Sequence, residues 1–291
     1  MKKVAVINDL SGFGKCSLSV ALPIISVLSV QCVPLATAVF TSQTGFEDYS
    51  YTDLTDMIEE YIKNWKLNNA SFDGIYSGYI TDYKQAILVK RFIEEFRKED
   101  TFLLIDPVLG DNGETYKMFT NDLLEIHKEL TRQANIITPN LTEACLLADI
   151  PVEDILKCDK DRDSLIELAS SAATILSKNA ITNQEVIITG ISVREGDSYY
   201  VYNLVLSEGE INLSKTPMID KSFSGTGDIF ASIITALKLN GLMTFKAVEI
   251  AQDFIAEAIN DTPADADTRD GVYFEKELAN LASVLRDNIY Y

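Results

Sequence analysis

"SFSGTGDIFAS", residues 222–232, places two glycines around a threonine and then an aspartate directly before an apolar helical pattern. Gly225 and Gly227 allow backbone N–H groups to approach a ligand closely. A helix that begins near Thr226 would add its partial positive charge, so the turn could bind an anion. The same helix end favours the ionised form of Asp228, which we expect to be charged at pH 7. The stretch therefore predicts either a capped helix start or a phosphate-binding turn with a base beside it.

Composition narrows the classes of partner. The chain has 291 residues, 47% of them hydrophobic, and a net charge of −19. An acidic surface repels nucleic-acid phosphates and anionic membranes, so neither is expected as a partner. No run reaches the roughly 18 apolar residues of a membrane span, which predicts a soluble, intracellular, cytoplasmic protein. An acidic protein that binds a nucleotide needs backbone N–H groups, a metal or a few placed cations.

The sequence offers few of the histidine and cysteine side chains that usually bind zinc. The single histidine, His127, lies in a helical pattern and is expected to be solvated or capping rather than catalytic. No CxxC pair occurs, which argues against the usual zinc sites. The cysteines are Cys16, Cys32, Cys145 and Cys158.

Short apolar runs alternate with amphipathic stretches, which predicts an α/β fold with a mostly parallel sheet and helices on both faces. A hairpin is expected over 199–214, and a helix that begins by about Ser17. With no linker long enough to separate domains, residues 1–291 are expected to form one domain. The other predicted strands are 4–8, 32–40, 74–80, 101–107, 135–139 and 185–191, and the other predicted helices are 54–67, 83–98, 122–133, 165–178, 227–239 and 244–260.

Ligands of open α/β sheets bind beyond the carboxyl ends of the strands. After the first strand, "NDLSGFGKCS" (8–17) fails both the Walker A and the dinucleotide patterns. It is interpreted as a glycine-rich turn carrying Asp9 and Ser11, either a tight connection or a binding loop. The loops 41–46 and 77–83 place small polar residues next to an aromatic, which suits a flat ligand but is also common in loops.

Acidic residues follow the next two strands. Asp106 and Asp111 in "DPVLGDNGETY" could both face one cavity and suit Mg²⁺, although an Asx-turn loop would have the same sequence. Asn140 and Glu143 have the spacing of a capping box, which by itself explains them. Glu143 would nevertheless lie at the same sheet edge as Asp106 and could help to hold a metal.

Taken in order, these segments resemble the pyridoxal kinases, the vitamin B6 kinases of the ribokinase-like superfamily. The resemblance covers nearly the whole chain and rests on "VAVINDLSGFG", "DPVLGD" followed by Tyr116, "ITPNLTEA" and "SGTGD", and more loosely on "AVFTSQTGF". It implies a ribokinase-like three-layer α/β fold with a central, mostly parallel sheet flanked by helices. It also implies a homodimer that uses ATP and Mg²⁺, often aided by a monovalent cation such as K⁺, to phosphorylate the 5′-hydroxymethyl group of pyridoxal, pyridoxine and pyridoxamine.

By position, the resemblance makes Asp228 the catalytic base and makes the turn before it the anion hole, formed by Gly225, Thr226 and Gly227. The metal and ATP phosphates would lie among Asp106, Asp111 and Glu143. The nucleotide-binding residues would be Asp111, Tyr116, Thr138, Asn140 and Thr189. The pyridine-binding residues would be Asp9, Phe40, Thr44 and Tyr79.

Three positions bear on substrate choice. Asp9 stands where pyridoxal kinases commonly carry a serine, and Gln43 stands where a histidine is common. "NDLSGFG" is closer to the hydroxymethylpyrimidine kinases of thiamine synthesis, but these usually carry Cys in place of Asp228. A sugar kinase would carry a lid insertion for which a helix starting by Ser17 leaves no room. The alternatives are therefore a hydroxymethylpyrimidine kinase or a non-catalytic nucleotide- or B6-binding protein.

Overall fold

The computed structural model describes residues 1–219 and 221–289. The strands are β1 (Lys3–Phe13), β2 (Gln31–Ser42), β3 (Tyr51–Asp53), β4 (Gly74–Ser77), β5 (Phe102–Ile105), β6 (Gly110–Asp111), β7 (Glu114–Thr115), β8 (Ile136–Ile137), β9 (Glu185–Glu195), β10 (Ser198–Ser207) and β11 (Glu210–Pro217). The α-helices are α1 (Ser17–Val27), α2 (Thr55–Leu67), α3 (Tyr83–Phe96), α4 (Asn121–Gln133), α5 (Leu141–Leu147), α6 (Glu153–Lys157), α7 (Arg162–Asn179), α8 (Thr226–Leu239), α9 (Thr244–Asp261) and α10 (Leu278–Ile289).

The chain divides into two compact units. Unit 1 comprises residues 1–102 and the described part of 219–291, and unit 2 comprises residues 103–218. In unit 1, β1 is central and pairs in parallel with β2 and β4, while β3 pairs antiparallel with β2. The β1 segment Val4–Ile7 is wholly buried, as expected for a β-branched run covered on both faces. Helix α8 packs against α1 and α9.

Unit 2 combines parallel and antiparallel pairing. Strand β8 pairs in parallel with β5 and with β9. Strands β9, β10 and β11 then pair antiparallel, with the predicted hairpin turn falling between Ser207 and Glu210. A separate two-stranded ribbon is formed by β6 and β7. The predicted α/β fold, with a mostly parallel sheet flanked by helices, is confirmed.

Two local expectations are wrong. The segment after Asn8 is not a glycine-rich turn, because β1 continues to Phe13 by pairing with the end of β2, with a register shift between Asn8 and Leu10. His127 is neither solvated nor a cap, because it is 1% exposed, and burial lowers its pKa to about 4. Neither of its ring nitrogens has a hydrogen-bond partner among the described residues.

No helix within residues 1–219 and 221–289 has both the length and the apolar character needed to cross a membrane. The expectation that residues 1–291 act as one domain stays a prediction.

Candidate functional site

The turn before α8 has the conformation that its glycines predict. Gly225 is the N-cap of α8 and adopts a left-handed conformation, with φ at +81°. A Cβ at this position would overlap the carbonyl oxygen of Lys15. The first N–H groups of a helix have no partner within the helix, so Thr226, Gly227 and Asp228 present donors at this turn. Gly225 is therefore required both by backbone conformation and by the close approach of the Lys15 segment.

Two donors from other elements hold the half-buried carboxylate of Asp228. The side-chain Nδ2 of Asn8 donates to Oδ1 at 3.0 Å, and the backbone N–H of Ser17 donates to Oδ2 at 2.8 Å. Burial, and then the nearby charge of Asp9, raise the pKa of Asp228 to about 6. The helix end was expected to favour the ionised form, and burial outweighs that effect. A pKa near 6 still leaves most of the carboxylate ionised at pH 7.

Asn8 connects this carboxylate to the middle of β1 and to the segment that follows β4. Its side-chain Oδ1 accepts from the backbone N–H of Asp9 at 3.1 Å and from that of Tyr79 at 2.9 Å. Gly78 provides the space, because a Cβ there would overlap the Asn8 side chain. The Asn8 carboxamide thus bonds to Asp228, to the backbone of β1 and to the backbone after β4, so this side chain fixes their relative positions.

Asp9 is buried beside Asn8. The Ser17 hydroxyl donates to its Oδ1 at 2.5 Å, and the Ser11 hydroxyl donates to its Oδ2 at 3.0 Å. Burial raises the pKa of Asp9, and the two hydroxyl donors oppose that rise. Both carboxylate oxygens are thus engaged by hydroxyl groups of the chain itself.

Aromatic side chains lie at the same ends of the strands. Phe40 is buried on β2 and stacks on Tyr51, with ring centroids 5.0 Å apart. Tyr79 is half-buried, and burial followed by the Asp9 charge raises its pKa to about 12. Thr44 lies exposed in the loop after β2. Tyr79 is therefore near both Asp9 and Tyr51, whose ring stacks on Phe40, and Thr44 lies in the loop after β2.

Residues 268–270 make backbone hydrogen bonds to the turn before α8 and to the Lys15 segment. Ser224 N–H donates to the carbonyl of Thr268 at 3.1 Å, and Lys15 N–H donates to that of Asp270 at 3.0 Å. The buried Gln43 donates through Nε2 to the carbonyl of Arg269 at 2.8 Å and to the Ser224 hydroxyl at 3.3 Å. Gln43 thus joins the loop after β2 to the turn before α8.

Unit 2 carries the predicted nucleotide residues. Thr138 is buried, and its hydroxyl donates to Asp106 Oδ1 at 2.7 Å. Asn140 donates through Nδ2 to the carbonyl of Gly110 at 2.7 Å, and Asn140 forms an isolated parallel bridge with Thr189. Tyr116 is 45% exposed. Asp106 and Thr138 thus form one hydrogen-bonded pair just after β5 and β8, and Asn140 pairs with Thr189 inside β9.

Glu143 has a structural role. It completes the predicted capping box, with its Oε2 accepting from Asn140 N–H at 2.9 Å, and its Oε1 accepts from Leu109 N–H at 3.0 Å. Burial, and then the neighbouring Asp106 charge, raise the pKa of Glu143 well above its ordinary value. The carboxyl group therefore ties the loop after β5 to the start of α5.

The three predicted metal ligands, Asp106, Asp111 and Glu143, do not form a preformed metal site. Asp111 is exposed, and its oxygens accept from the backbone and side-chain N–H groups of Asn112 at 2.8 and 3.1 Å. Within the part of the chain that the structure describes, no three His, Cys, Asp or Glu side chains converge closely enough to hold a metal. Mg²⁺ needs only one or two carboxylates when phosphates and waters complete its shell, so Asp106 and Asp111 still fit such an ion.

The sequence matches the phosphomethylpyrimidine kinase family over residues 22–271. The chain belongs to this family. The match includes α8 with its preceding turn and the whole of unit 2. The ribokinase-like fold class expected from the sequence motifs is confirmed by this membership and by the solved structures of similar proteins.

Similar proteins in this family are pyridoxal kinases or bind pyridoxal. A phosphomethylpyrimidine kinase candidate from Bacteroides thetaiotaomicron, crystallised with pyridoxal, is 36% identical over 96% of this chain and 95% of its own, with a TM-score of 0.86. Pyridoxal kinase from Lactobacillus plantarum is 25% identical over 99% of both chains, with a TM-score of 0.87. Human pyridoxal kinase is 28% identical over 73% of this chain and 69% of its own.

Three contacts of this candidate site do not follow from the sequence motifs. Asn8 ends a buried apolar run, which is the one signal in the sequence that points to it. Ser17 acts through its backbone N–H, which no side-chain motif reveals. The segment 268–270 lies some forty residues after the turn that it supports, and its contacts are made by backbone carbonyls.

We predict that Gly225→Ala destabilises the protein. The left-handed conformation costs an alanine about 1–2 kcal/mol, and the overlap with Lys15 adds to this. The free energy of unfolding should fall by about 2 kcal/mol or more in urea denaturation. Gly227→Ala is the matched control, because a Cβ there would have no heavy atom of the described residues within 4 Å. Equal stability of the two variants would contradict the assignment of Gly225.

Proposed function

We propose that the protein transfers the γ-phosphoryl group of ATP to the 5′-hydroxymethyl group of pyridoxal, pyridoxine or pyridoxamine. The observation that carries this proposal is the Asp228 carboxylate, fixed by Asn8 and Ser17 at the start of α8 beside backbone donors. Membership of a kinase family and the pyridoxal kinases among the relatives confirm the predicted enzyme class.

The chemistry follows from the turn before α8. Asp228 accepts the proton of the substrate's hydroxymethyl group. The oxygen of that group bonds to the γ-phosphorus of ATP while the bond between the γ-phosphorus and the ADP oxygen breaks. The N–H groups of Thr226 and Gly227 stabilise negative charge on the transferring phosphoryl group. With a pKa of about 6, Asp228 is ionised enough at pH 7 to accept the proton and is more basic than an ordinary aspartate.

The pyridine ring is assigned to the strand ends of unit 1. Phe40 and Tyr79 supply apolar and aromatic surface, Thr44 supplies a hydroxyl in the adjoining loop, and Asp9 lies beside them. Such a combination suits a flat heterocycle with a few polar substituents. We assign these side chains to substrate binding.

Unit 2 is assigned to the nucleotide. Thr138, Asn140 and Thr189 offer hydroxyl and amide groups, and the exposed ring of Tyr116 can contact a base or ribose. Asp106 and Asp111 would hold the Mg²⁺ that accompanies ATP, directly or through water, and Glu143 would keep their loop in place. When bound, Mg²⁺ neutralises the phosphate charge that this acidic protein would otherwise repel. A monovalent cation such as K⁺ is part of the same proposal.

The proposal extends to location, oligomeric state and partners. We assign the protein to the cytoplasm and propose that it is a homodimer. In each chain, residues 1–291 would act as one kinase domain, with ATP and a small alcohol as ligands. A surface with a net charge of −19 does not favour nucleic acid or anionic membranes.

A second candidate substrate is hydroxymethylpyrimidine, which is favoured by the description of the matched family and by the "NDLSGFG" segment. A coupled assay of ADP release should give the higher kcat/KM with a B6 vitamer. A higher kcat/KM with the pyrimidine alcohol would reverse the substrate assignment. Binding of ATP and pyridoxal without any ADP release would indicate a non-catalytic binding protein.

Asp228→Asn should abolish turnover while leaving ligand binding nearly intact. The change preserves the shape of the side chain and removes the proton acceptor, which is worth ~10²–10⁴-fold in rate. Steady-state kinetics and calorimetric binding of ATP and pyridoxal measure the two effects separately. A variant that keeps more than about half of the wild-type kcat would show that Asp228 is not the base.

Turnover should depend on a divalent cation. Activity should disappear in excess EDTA and return when Mg²⁺ is added, because the ATP phosphates need a cation in an acidic protein. Asp111→Asn should raise the Mg²⁺ concentration needed for half-maximal rate, whereas Asp122→Asn, which removes an exposed acid at the start of α4, should not. Undiminished turnover in excess EDTA would contradict the metal assignment.

Asp9 should influence the choice of vitamer if it contacts the substrate. An ionised carboxylate binds an amine or a protonated ring more strongly than a serine does, since charged hydrogen bonds are worth ~1.5–3 kcal/mol against ~1 for neutral ones. The ratio of kcat/KM for pyridoxamine to that for pyridoxal should therefore fall in Asp9→Ser. A ratio unchanged within about twofold would leave Asp9 with contacts inside the protein only.

A further inference from the structure

Asp9 and Asp228 are joined through two shared residues of unit 1. Ser17 donates its backbone N–H to Asp228 Oδ2 at 2.8 Å and its hydroxyl to Asp9 Oδ1 at 2.5 Å. Asn8 donates to Asp228 Oδ1 at 3.0 Å and accepts from the Asp9 N–H at 3.1 Å. Each bridge is only one residue long, so the two carboxylates are held as a pair with little freedom to separate.

The bridging donors favour the charged form of both acids, against the burial that raises the pKa of each. Asp9 receives the Ser11 and Ser17 hydroxyls, and Asp228 receives an amide and a backbone N–H, so each carboxylate oxygen has a donor. Hydrogen bonds of this kind favour the ionised form and offset part of the cost of burial. Asp9 has only 5% of its surface exposed, so water screens its charge weakly.

Other titratable groups near the pair do not supply a compensating charge. The Cys16 thiol at the start of α1 is neutral, because burial and the charges of Asp228 and Asp9 raise its pKa to about 12. Tyr79 is neutral for a similar reason. The Lys15 ammonium is directed to Glu275 and to the carbonyl of Val272, at 3.3 and 3.1 Å.

We propose that Asp9 is a positioning residue for Asp228: joined to it through Asn8 and Ser17, it keeps a buried negative charge beside the base and makes Asp228 a stronger proton acceptor. A like charge disfavours the ionised form of its neighbour and so increases its affinity for a proton. This inference rests on the proposed kinase function, and it assigns to Asp9 a role that does not require contact with the substrate.

The test is the pH dependence of kcat/KM for one vitamer, measured between pH 4.5 and 9 in wild type and in Asp9→Asn. The acid limb of the wild-type profile should lie near pH 6, with activity rising as Asp228 loses its proton. Asp9→Asn should move that limb down by about one pKa unit, because the neighbouring charge is lost. A titration of the free substrate is common to both profiles and cancels in the comparison. Asp122→Asn makes the same charge change at an exposed position and should not move the limb.

A second variant tests the proposal if Asp9→Asn does not fold. Ser17→Ala keeps the backbone N–H to Asp228 and removes one donor from Asp9, so Asp9 ionises less readily and the limb should again move down, by a smaller amount. Thermal melts establish that each variant is folded.

The outcomes separate the inference from the function on which it rests. An acid limb displaced by less than about 0.3 units in the folded variants, with Asp228→Asn inactive, overturns the role of Asp9 alone. Full turnover in Asp228→Asn overturns the base assignment, and with it both the proposed mechanism and this inference. A change only in the pyridoxamine to pyridoxal ratio, with the limb in place, assigns Asp9 to substrate binding instead.

Discussion

The carboxylate of Asp228 is held in a partly buried position between the Asn8 amide and the Ser17 N–H, and the site depends on that placement. Its pKa of about 6 lies about two units above the ordinary value. Since the folded protein binds this proton more tightly than the unfolded chain, stability falls as pH rises from about 4 through 6. By linkage, the ionised group costs on the order of 3 kcal/mol at neutral pH. The carboxylate that results is still largely ionised at pH 7 and is more basic than an ordinary aspartate.

The surrounding backbone explains how the cost is tolerated. The turn before α8 is fixed by Gly225, by the Lys15 carbonyl pressed against it and by the carbonyls of the 268–270 segment. Gln43 adds a side-chain contact from the loop after β2. Because strands, loops and a late segment of unit 1 converge on one turn, the position of the carboxylate is set by many contacts. In unit 2, the buried carboxyl group of Glu143 fixes the loop after β5 by accepting hydrogen bonds from backbone N–H groups.

The fold could be predicted because it leaves local signals in the sequence, and the proposed site residues of the turn before α8 rest on signals of the same kind. Alternating apolar and amphipathic runs give the parallel sheet, and Gly225 and Asp228 are visible in the sequence of their own turn. The protonation behaviour of Asp228 could not be predicted in the same way, since burial and the Asp9 charge arise from β1, distant in sequence. The extension of β1 to Phe13 depends on pairing with β2, which overrides the turn preference of "SGFG". The burial of His127 likewise depends on tertiary packing that its helical pattern does not specify.

The placement of the Asp228 carboxylate can be measured through its carboxyl pKa. Protein labelled with ¹³C at the aspartate carboxyl carbons can be titrated by NMR, and the resonance of Asp228 is the one absent from Asp228→Asn. A midpoint near pH 6 is expected for this resonance in the ligand-free protein. A midpoint near 4, the value of an ordinary exposed aspartate, would show that the carboxylate is neither buried nor tuned as described.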